Sequence, residues 1–208
     1  MSMPQISAND PQPAWEIATL YPPQGAWSVE EYLDLTDGTN RLIEFTDGQI
    51  EFLEMPTILH QRILMYLLGF FQKYVSEHVL GEVFVAGTRI QVDPTKFREP
   101  DITVVRKGTS SDKLDRYWRG AELVVEIVRD GLSSRDRDLV KKRVDYATAG
   151  ISEYWMVDPQ TKLITVLALE GDSYAVHGEF MPGQQATSRR LEGFSIDVKD
   201  TFDAVKGP

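Results

Sequence analysis

A single glutamate interrupts the most apolar stretch of this chain. Glu126 stands within residues 123–128, where every other side chain is Leu, Val or Ile. Such a run is typical of a strand buried on both faces, where a carboxylate is costly unless a cation, a hydrogen-bond donor or a metal compensates it. Because side chains alternate along a strand, Val124, Glu126 and Val128 share one face. We therefore expect Glu126 at the end or opening of a core face, beside a compensating group.

Two more residues with matching chemistry lie on either side of this stretch in the sequence. Asp101 follows Pro100 and opens a second apolar run, and Lys142 falls on a predicted helix. Carboxylates held on neighbouring rigid strands are the hard oxygen ligands that Mg²⁺ or Mn²⁺ prefers. Such an ion polarises a phosphate and generates a hydroxide near neutral pH. The order carboxylate, carboxylate, lysine therefore favours a metal-dependent phosphodiester hydrolase.

Each of these residues also has an ordinary structural explanation. A glutamate in a strand can be a satisfied structural carboxylate, or it can face solvent at a sheet edge. Pro-Asp before a strand is common turn chemistry, and a surface position is the default for lysine. The hypothesis depends on the three residue types occurring in this order and in these contexts.

Length and composition set further bounds. The chain has 208 residues, no cysteine and a formal net charge of −10. The length predicts one domain, and the absence of cysteine excludes disulfides, thiol catalysis and thiolate zinc sites. The negative charge argues against a broad cationic surface for nucleic acid, although a local basic groove stays compatible with it. With no secretory signal and no uninterrupted apolar helix, we expect a cytoplasmic protein without a membrane span.

The N-terminal part of the chain divides into a tail and the start of a domain. Residues 1–26 are rich in Pro, Gln and Ala and predict a flexible tail, followed by a single domain over residues 27–208. The sequence Ser-Val-Glu-Glu at residues 28–31 is a capping box that opens a short helix. Asp47-Gly48 is a turn signal that predicts a hairpin over residues 42–52.

Helical and strand periodicities organise the remainder. Apolar residues at helical spacing predict a long helix over residues 57–78, with Gly81 as its terminator. A second helix is predicted to begin at a cap provided by Ser133 or Ser134 and to end near Gly150. Strands are predicted over residues 83–92, 102–105, 123–128, 154–157, 163–169, 174–177 and 194–198. This order predicts a mixed α/β (α+β) domain with one central sheet and helices packed against it.

Several longer segments of the chain form a specific combination. They lie at residues 44–48, 60–63, 99–102, 123–127, 137–143, 146 and 150–159. The longest of them, residues 150–159, reads Gly-Ile-Ser-Glu-Tyr-Trp-Met-Val-Asp-Pro. Together they resemble the restriction-endonuclease family abundant in cyanobacteria, which belongs to the PD-(D/E)XK nuclease-like superfamily. The resemblance covers most of the chain, from Ser28 to Asp200.

The resemblance implies a restriction-endonuclease-like fold, a central mixed β-sheet flanked by helices. In that fold Asp101 and Glu126 would be metal-binding carboxylates on adjacent strands, holding Mg²⁺ or Mn²⁺. The usual superfamily pattern places a lysine two residues after the glutamate, where this chain has Val128. In this family the lysine is displaced to the following helix, and Lys142 is the match. Glu44 resembles the additional N-terminal acid of the superfamily.

Other residues are weaker candidates for contact with substrate. His60 matches a recurrent family histidine that would touch the phosphate or the water, although a lone histidine on a helix is more often structural. Arg89 and Arg98 flank the strand before Asp101 and are candidates for phosphate contact. Lys141 is the neighbour of Lys142 and points about 100° away from it on a helix.

The residues one helical turn on either side of Lys142 have ordinary explanations. We interpret Asp138 as a member of a surface ion pair and Tyr146 as a ring that faces the core. Lys142 itself can either accept a proton or stabilise charge, and the sequence does not separate these roles.

Three functional hypotheses follow from these observations. The first is a metal-dependent DNA endonuclease, with a homodimer as a plausible way to address both strands of a duplex. The second is a non-catalytic module with a nuclease fold that binds nucleic acid or a protein partner. The net charge and the displaced lysine favour this second hypothesis. A glycosidase with a carboxylate pair is disfavoured because it has no use for Lys142. The sequence does not decide between DNA and RNA.

Overall fold

A computed structural model describes residues 21–39, 41–129 and 140–203 of the chain. Within these residues the helices are α1 (Val29–Asp37), α2 (Ile58–Glu77), α3 (Lys142–Thr148) and α4 (Val198–Asp203). The strands are β1 (Ile43–Thr46), β2 (Gln49–Phe52), β3 (Gly81–Val85), β4 (Ile90–Asp93), β5 (Lys96–Arg98), β6 (Ile102–Arg106), β7 (Leu123–Ile127), β8 (Glu153–Asp158), β9 (Leu163–Glu170), β10 (Ser173–Phe180), β11 (Gln185–Thr187) and β12 (Ser195–Asp197).

In the described part of the chain the strands form one large sheet and two smaller ones. The large sheet has six strands in the order β10-β9-β8-β7-β6-β3, and it is mixed because β7 and β8 run parallel while the other neighbours are antiparallel. The second sheet has the order β2-β1-β5-β4, and β11 pairs with β12. The mixed α/β class with a mixed sheet flanked by helices is therefore confirmed.

One predicted strand is wrong, because its residues form two strands that belong to different sheets. The strand predicted over residues 83–92 is divided into β3 and β4 by a turn in which Gly87 has a φ of 94° and the Thr88 N–H donates to the Val85 carbonyl. β3 then joins the large sheet and β4 joins the second one. β4 is linked through β5 to β1, the strand that carries Glu44.

The alternation predicted for the Glu126 strand is confirmed. Leu123, Val125 and Ile127 belong to the core cluster that contains the buried face of α2. Val124 belongs to a different cluster, which contains residues of α3. Glu126 lies on the same face as Val124 and is contacted by α3. The strand thus separates two cores, and its single carboxylate points into the smaller one.

The predicted helices and hairpin in the first third of the domain are confirmed. The Ser28 side chain accepts a hydrogen bond from the Glu31 N–H at 3.2 Å, and the Glu31 carboxylate accepts one from the Ser28 N–H at 2.9 Å, which completes the capping box. The Thr57 hydroxyl caps α2 by accepting a hydrogen bond from the His60 N–H at 3.1 Å. β1 and β2 form the hairpin predicted around Asp47-Gly48.

Some predictions fall partly outside the described residues. Residues 1–20 of the predicted tail lie outside them, whereas residues 21–26 contact the hairpin through Gln24, whose side chain exchanges two 2.9 Å hydrogen bonds with the Ile50 backbone. The predicted caps Ser133 and Ser134 also lie outside the described residues, as does Asp138. Among the helices that are described, none has the length and apolar character that a bilayer crossing requires.

Gly81 has a different role from the predicted one. α2 ends at Glu77 with His78 as its cap, and it is Val79 that takes a left-handed conformation, with a φ of 54°. Gly81 instead begins β3, where an added Cβ would lie 1.9 Å from the Val105 carbonyl oxygen. The position requires glycine because the backbones of β3 and β6 approach each other closely there.

This close approach can be tested with a pair of glycine substitutions. We expect Gly81→Ala to lower the free energy of unfolding by about 1–3 kcal/mol, because backbone atoms must move to admit the methyl group. Gly69→Ala is the matched control, since Gly69 lies in α2 with nothing within 4 Å of its Cβ position. It should raise stability by about 1 kcal/mol through helix propensity alone. Urea denaturation of both variants would measure this, and equal effects of the two substitutions would contradict the interpretation.

Candidate active site

Two acids and a lysine from distant parts of the chain converge between the two larger sheets. Glu44 comes from β1, Glu126 from β7 and Lys142 from the first turn of α3. The Lys142 Nζ lies 2.8 Å from the Glu44 Oε1 and 2.8 Å from the Glu126 Oε1. All three side chains are buried: Glu44 is 1% exposed, Glu126 is 4% exposed and Lys142 is 1% exposed. An ammonium group buried to this degree requires such partners, because its desolvation is otherwise uncompensated.

The two neighbouring lysines differ as their helical positions predict. Lys142 is buried, whereas Lys141 precedes α3 and is exposed. Lys141 lines a cavity of about 480 Å³, together with Glu44 and Arg98. This volume falls within the range of about 300–1,000 Å³ that ligand pockets span. The cavity therefore gives solvent a route to Glu44, and the exposed Lys141 lines its wall.

Tyr146 adds a hydroxyl to this cluster, which the sequence interpretation did not anticipate. Its ring is fully buried in the core, as expected, but its hydroxyl donates to the Glu126 Oε1 at 2.5 Å. Burial, and after it the negative charge of Glu126, raises the pKa of the Tyr146 phenol well above its ordinary value. Tyr146 therefore stays a hydrogen-bond donor. The signal that points to it is its spacing of four residues from Lys142.

Asp101 is held by contacts with β7 and α2. It precedes β6, and its Oδ2 accepts a hydrogen bond from the Ile127 N–H at 2.8 Å. Its Oδ1 lies 3.1 Å from the His60 Nε2 and 3.8 Å from a guanidinium nitrogen of Arg129. Both Asp101 and His60 are buried. The helix α2 thus brings His60 directly against Asp101.

Strand pairing relates Asp101 to Glu126. β6 and β7 are antiparallel, with Ile102 opposite Val125 and Thr103 opposite Val124. Continuing this register by one step places Asp101 opposite Glu126, as expected for the carboxylates of adjacent strands. Their contacts nevertheless differ, because Asp101 contacts α2 and Glu126 contacts α3. Across residues 21–39, 41–129 and 140–203, no group of three or more His, Asp or Glu residues is arranged to hold a metal ion.

The two arginines proposed for phosphate contact are engaged by protein groups. Arg98 is buried and donates to the Asp145 Oδ2 at 2.7 and 3.0 Å, to the Thr46 Oγ1 at 2.9 Å and to backbone carbonyls. It also lies 3.8 Å from the Glu44 Oε2. Arg98 thereby links β1 to α3 behind Glu44. Arg89 donates to the Asp37 carboxylate at 2.6 Å and to a threonine hydroxyl at 2.8 Å.

A further buried acid lies beside the cluster. Glu99 is 4% exposed, and its N–H donates to the Glu44 Oε1 at 3.2 Å. Among the described residues its carboxylate Oε2 has no hydrogen-bond partner. Burial, and after it the negative charge of Glu44, raises the pKa of Glu99 from 4.5 to about 7. Glu99 lies in the segment 99–102 noted in the sequence, where only Asp101 was assigned a role.

The raised pKa of Glu99 predicts a pH dependence of stability. The folded state binds this proton more tightly than the unfolded chain does, so the contribution of Glu99 is complete below pH 4.5 and is lost as pH rises through about 7. We expect Glu99→Gln to raise the free energy of unfolding relative to the wild type by up to about 3 kcal/mol above this range, with little difference below it. Urea denaturation at the two pH extremes measures this, with the exposed Glu82→Gln as control. A difference between Glu99→Gln and wild type that does not change with pH would refute it.

Comparisons with known proteins agree with this architecture. A crystal structure from Anabaena variabilis, of a protein described as a putative nuclease belonging to DUF820, superposes with a TM-score of 0.70. The two sequences are 16% identical, and the match covers 86% of this chain and 99% of that one. At this identity the likeness concerns the fold, and it confirms the expected nuclease-like architecture. No curated protein sequence matches the chain.

The family itself is shown by the sequence. Residues 29–199 match the profile of the Uma2 family, described as "Putative restriction endonuclease". The match includes every residue of the buried cluster, from Glu44 to Tyr146, and agrees with the resemblance to restriction endonucleases expected from the sequence. The chain therefore belongs to the Uma2 family of restriction-endonuclease-like proteins.

Proposed function

We propose that this protein is a metal-dependent phosphodiester hydrolase that cuts DNA as an endonuclease. The observation that supports the proposal most directly is the buried array of Glu44, Lys142 and Glu126, with Asp101 at the adjacent strand position. Burial of so many ionisable groups in one place is costly for stability, and such arrangements are typical of functional sites. Membership of the Uma2 family, described as "Putative restriction endonuclease", supports phosphodiester chemistry over other uses of paired acids.

A pair of carboxylates is the donor set that we propose for a hard divalent cation, and the described residues add no third His, Asp or Glu arranged to complete it. Asp101 and Glu126 would hold Mg²⁺ or Mn²⁺, since both are buried carboxylates carried by neighbouring strands. Such an ion, when bound, supplies Lewis-acid polarisation of the phosphate and a more acidic water. Glu44 assists from β1.

In this proposal Lys142 acts as a charged donor. Two carboxylates at 2.8 Å stabilise its ammonium form, so it is suited to orienting the water or to stabilising negative charge on the phosphate. Use of Lys142 as a proton acceptor would first require the loss of this stabilisation. Its stem reaches the cluster from α3, which explains how the lysine can serve the site from an element other than β7.

The remaining candidates take supporting roles. His60 is buried against Asp101, so we assign it to the orientation of that carboxylate. We assign contact with a substrate phosphate to Lys141, because it is exposed and lines the 480 Å³ cavity. A homodimer would present a second copy of the site to the opposite strand of a duplex.

A non-catalytic module is the second candidate, and one observation favours it. The ammonium group of Lys142 already forms an ion pair with each of the two acids that it bridges, as a purely structural cluster also would. In that case DNA binding would persist in Glu126→Gln and would need no divalent ion. The two candidates are therefore distinguished by the metal requirement and by hydrolysis.

Substitution of the acids and the lysine tests the enzymatic proposal. With plasmid DNA and Mg²⁺ or Mn²⁺, we expect Asp101→Asn, Glu126→Gln and Lys142→Met each to lower the cleavage rate by about 100-fold or more, the usual scale for a lost charge-stabilising or proton-transferring group. Chelation of the metal should abolish cleavage. The exposed Lys73→Met and Glu82→Gln serve as controls and should cleave normally. Wild-type cleavage by Asp101→Asn would exclude the proposed metal site.

A further inference from the structure

The geometry points to Tyr146 as a positioning residue that fixes the Glu126 carboxylate for metal binding. This inference rests on the function proposed above, since it concerns the same site. It assigns a role to a residue whose ring alone would be a routine part of the core.

Tyr146 and Lys142 donate hydrogen bonds to the same acceptor atom. The Tyr146 hydroxyl lies 2.5 Å and the Lys142 Nζ 2.8 Å from one and the same oxygen, the Glu126 Oε1. Both donors come from α3, four residues apart on one helical face. Two donors on a single oxygen restrict rotation of the carboxylate, so the direction of Glu126 is set by α3 as much as by its own strand.

The Tyr146 ring is held rigidly by the residues packed around it. Tyr146 is fully buried in the smaller core, where its ring packs edge-on against Tyr154 at a centroid distance of 5.1 Å. A close-packed ring of this kind does not change rotamer without disturbing its neighbours. The packed ring of Tyr146 therefore fixes the position of the hydroxyl that donates to Glu126. The Lys142 side chain has more rotatable bonds and restrains the carboxylate less.

The hydrogen bond from the Tyr146 hydroxyl to Glu126 joins a neutral donor to a charged acceptor. A neutral phenol donating to a carboxylate gives a charge-assisted hydrogen bond, which is stronger than one between neutral groups. Because the phenol is neutral, it adds no positive charge beside Glu126, whereas the partner in a second salt bridge would. Partners of this kind behind a ligand orient it and raise metal affinity, and their removal costs roughly 10- to 100-fold in affinity.

The chain offers a matched control for this proposal. Tyr174 belongs to the same core cluster, is buried, and donates its hydroxyl to the Ile151 carbonyl at 2.7 Å. Tyr174→Phe and Tyr146→Phe each remove one buried hydroxyl and its hydrogen bond. Any loss of affinity caused by general destabilisation of this core would therefore occur in both variants.

The experiment is a calorimetric titration with Mn²⁺, in the absence and presence of a DNA duplex. We expect Tyr146→Phe to bind Mn²⁺ at least about 10-fold more weakly than the wild type, and Tyr174→Phe to bind it with wild-type affinity. Thermal melts of the same samples check that both variants are folded. A Tyr146→Phe protein with wild-type affinity overturns the positioning role, and so does an equal loss in Tyr174→Phe.

The controls separate failure of this inference from failure of the proposed function. If the wild type binds no Mn²⁺ with or without DNA, the metal-dependent hydrolase is refuted and the role of Tyr146 is refuted with it. If the wild type binds Mn²⁺ and Asp101→Asn does not, the metal site stands. Equal affinities of wild type and Tyr146→Phe would then reject the inference alone.

Discussion

The charge balance around the Lys142 ammonium group is the interaction on which the remaining architecture depends. One cation is shared by an acid from each of the two larger sheets, at equal distances of 2.8 Å. Removing one partner of a buried ion pair costs about 3–5 kcal/mol, because the remaining charge is left uncompensated. The second sheet, the large sheet and α3 are therefore held in one arrangement by electrostatics as well as by apolar packing.

A second ion pair, between Arg98 and Asp145, also joins α3 to the second sheet. Arg98 joins Asp145 of α3 to the backbone of β1, and so it fixes the helix that carries Lys142 relative to the strand that carries Glu44. With Tyr146 also on α3, this short helix positions the lysine and restrains Glu126. The cluster is thus organised by α3, although its acids belong to strands.

Local features of the chain were predictable from sequence, whereas non-local ones were not. One capping box, turn residues and periodicity predicted α1, α2 and the hairpin, because these depend on neighbouring residues. The division of β3 from β4 depends on which sheet each strand joins, which local periodicity does not contain. The role of Gly81 likewise depends on the distant Val105.

The same limit applies to the site. The alternation of β7 predicted that Glu126 needs a partner, but not which one. Glu153 shows why the pattern alone is ambiguous. It is equally buried in an apolar strand, yet its carboxylate accepts hydrogen bonds from Trp155, Ser188 and the backbone of Arg189 and Arg190, as a structural acid does. Only the identity of the partners distinguishes the two glutamates.

The wide spacing of Glu44, Glu126 and Lys142 along the chain has a consequence for the cell that makes the protein. A nascent chain, or a fragment that ends before α3, carries the first two residues but lacks the cation that joins them. If the cluster cuts DNA, that capacity arises only when synthesis has passed residue 142 and the sheets have assembled around it. A chain that ends before residue 142 therefore leaves the acids of the two larger sheets without the cation that they share in the complete fold.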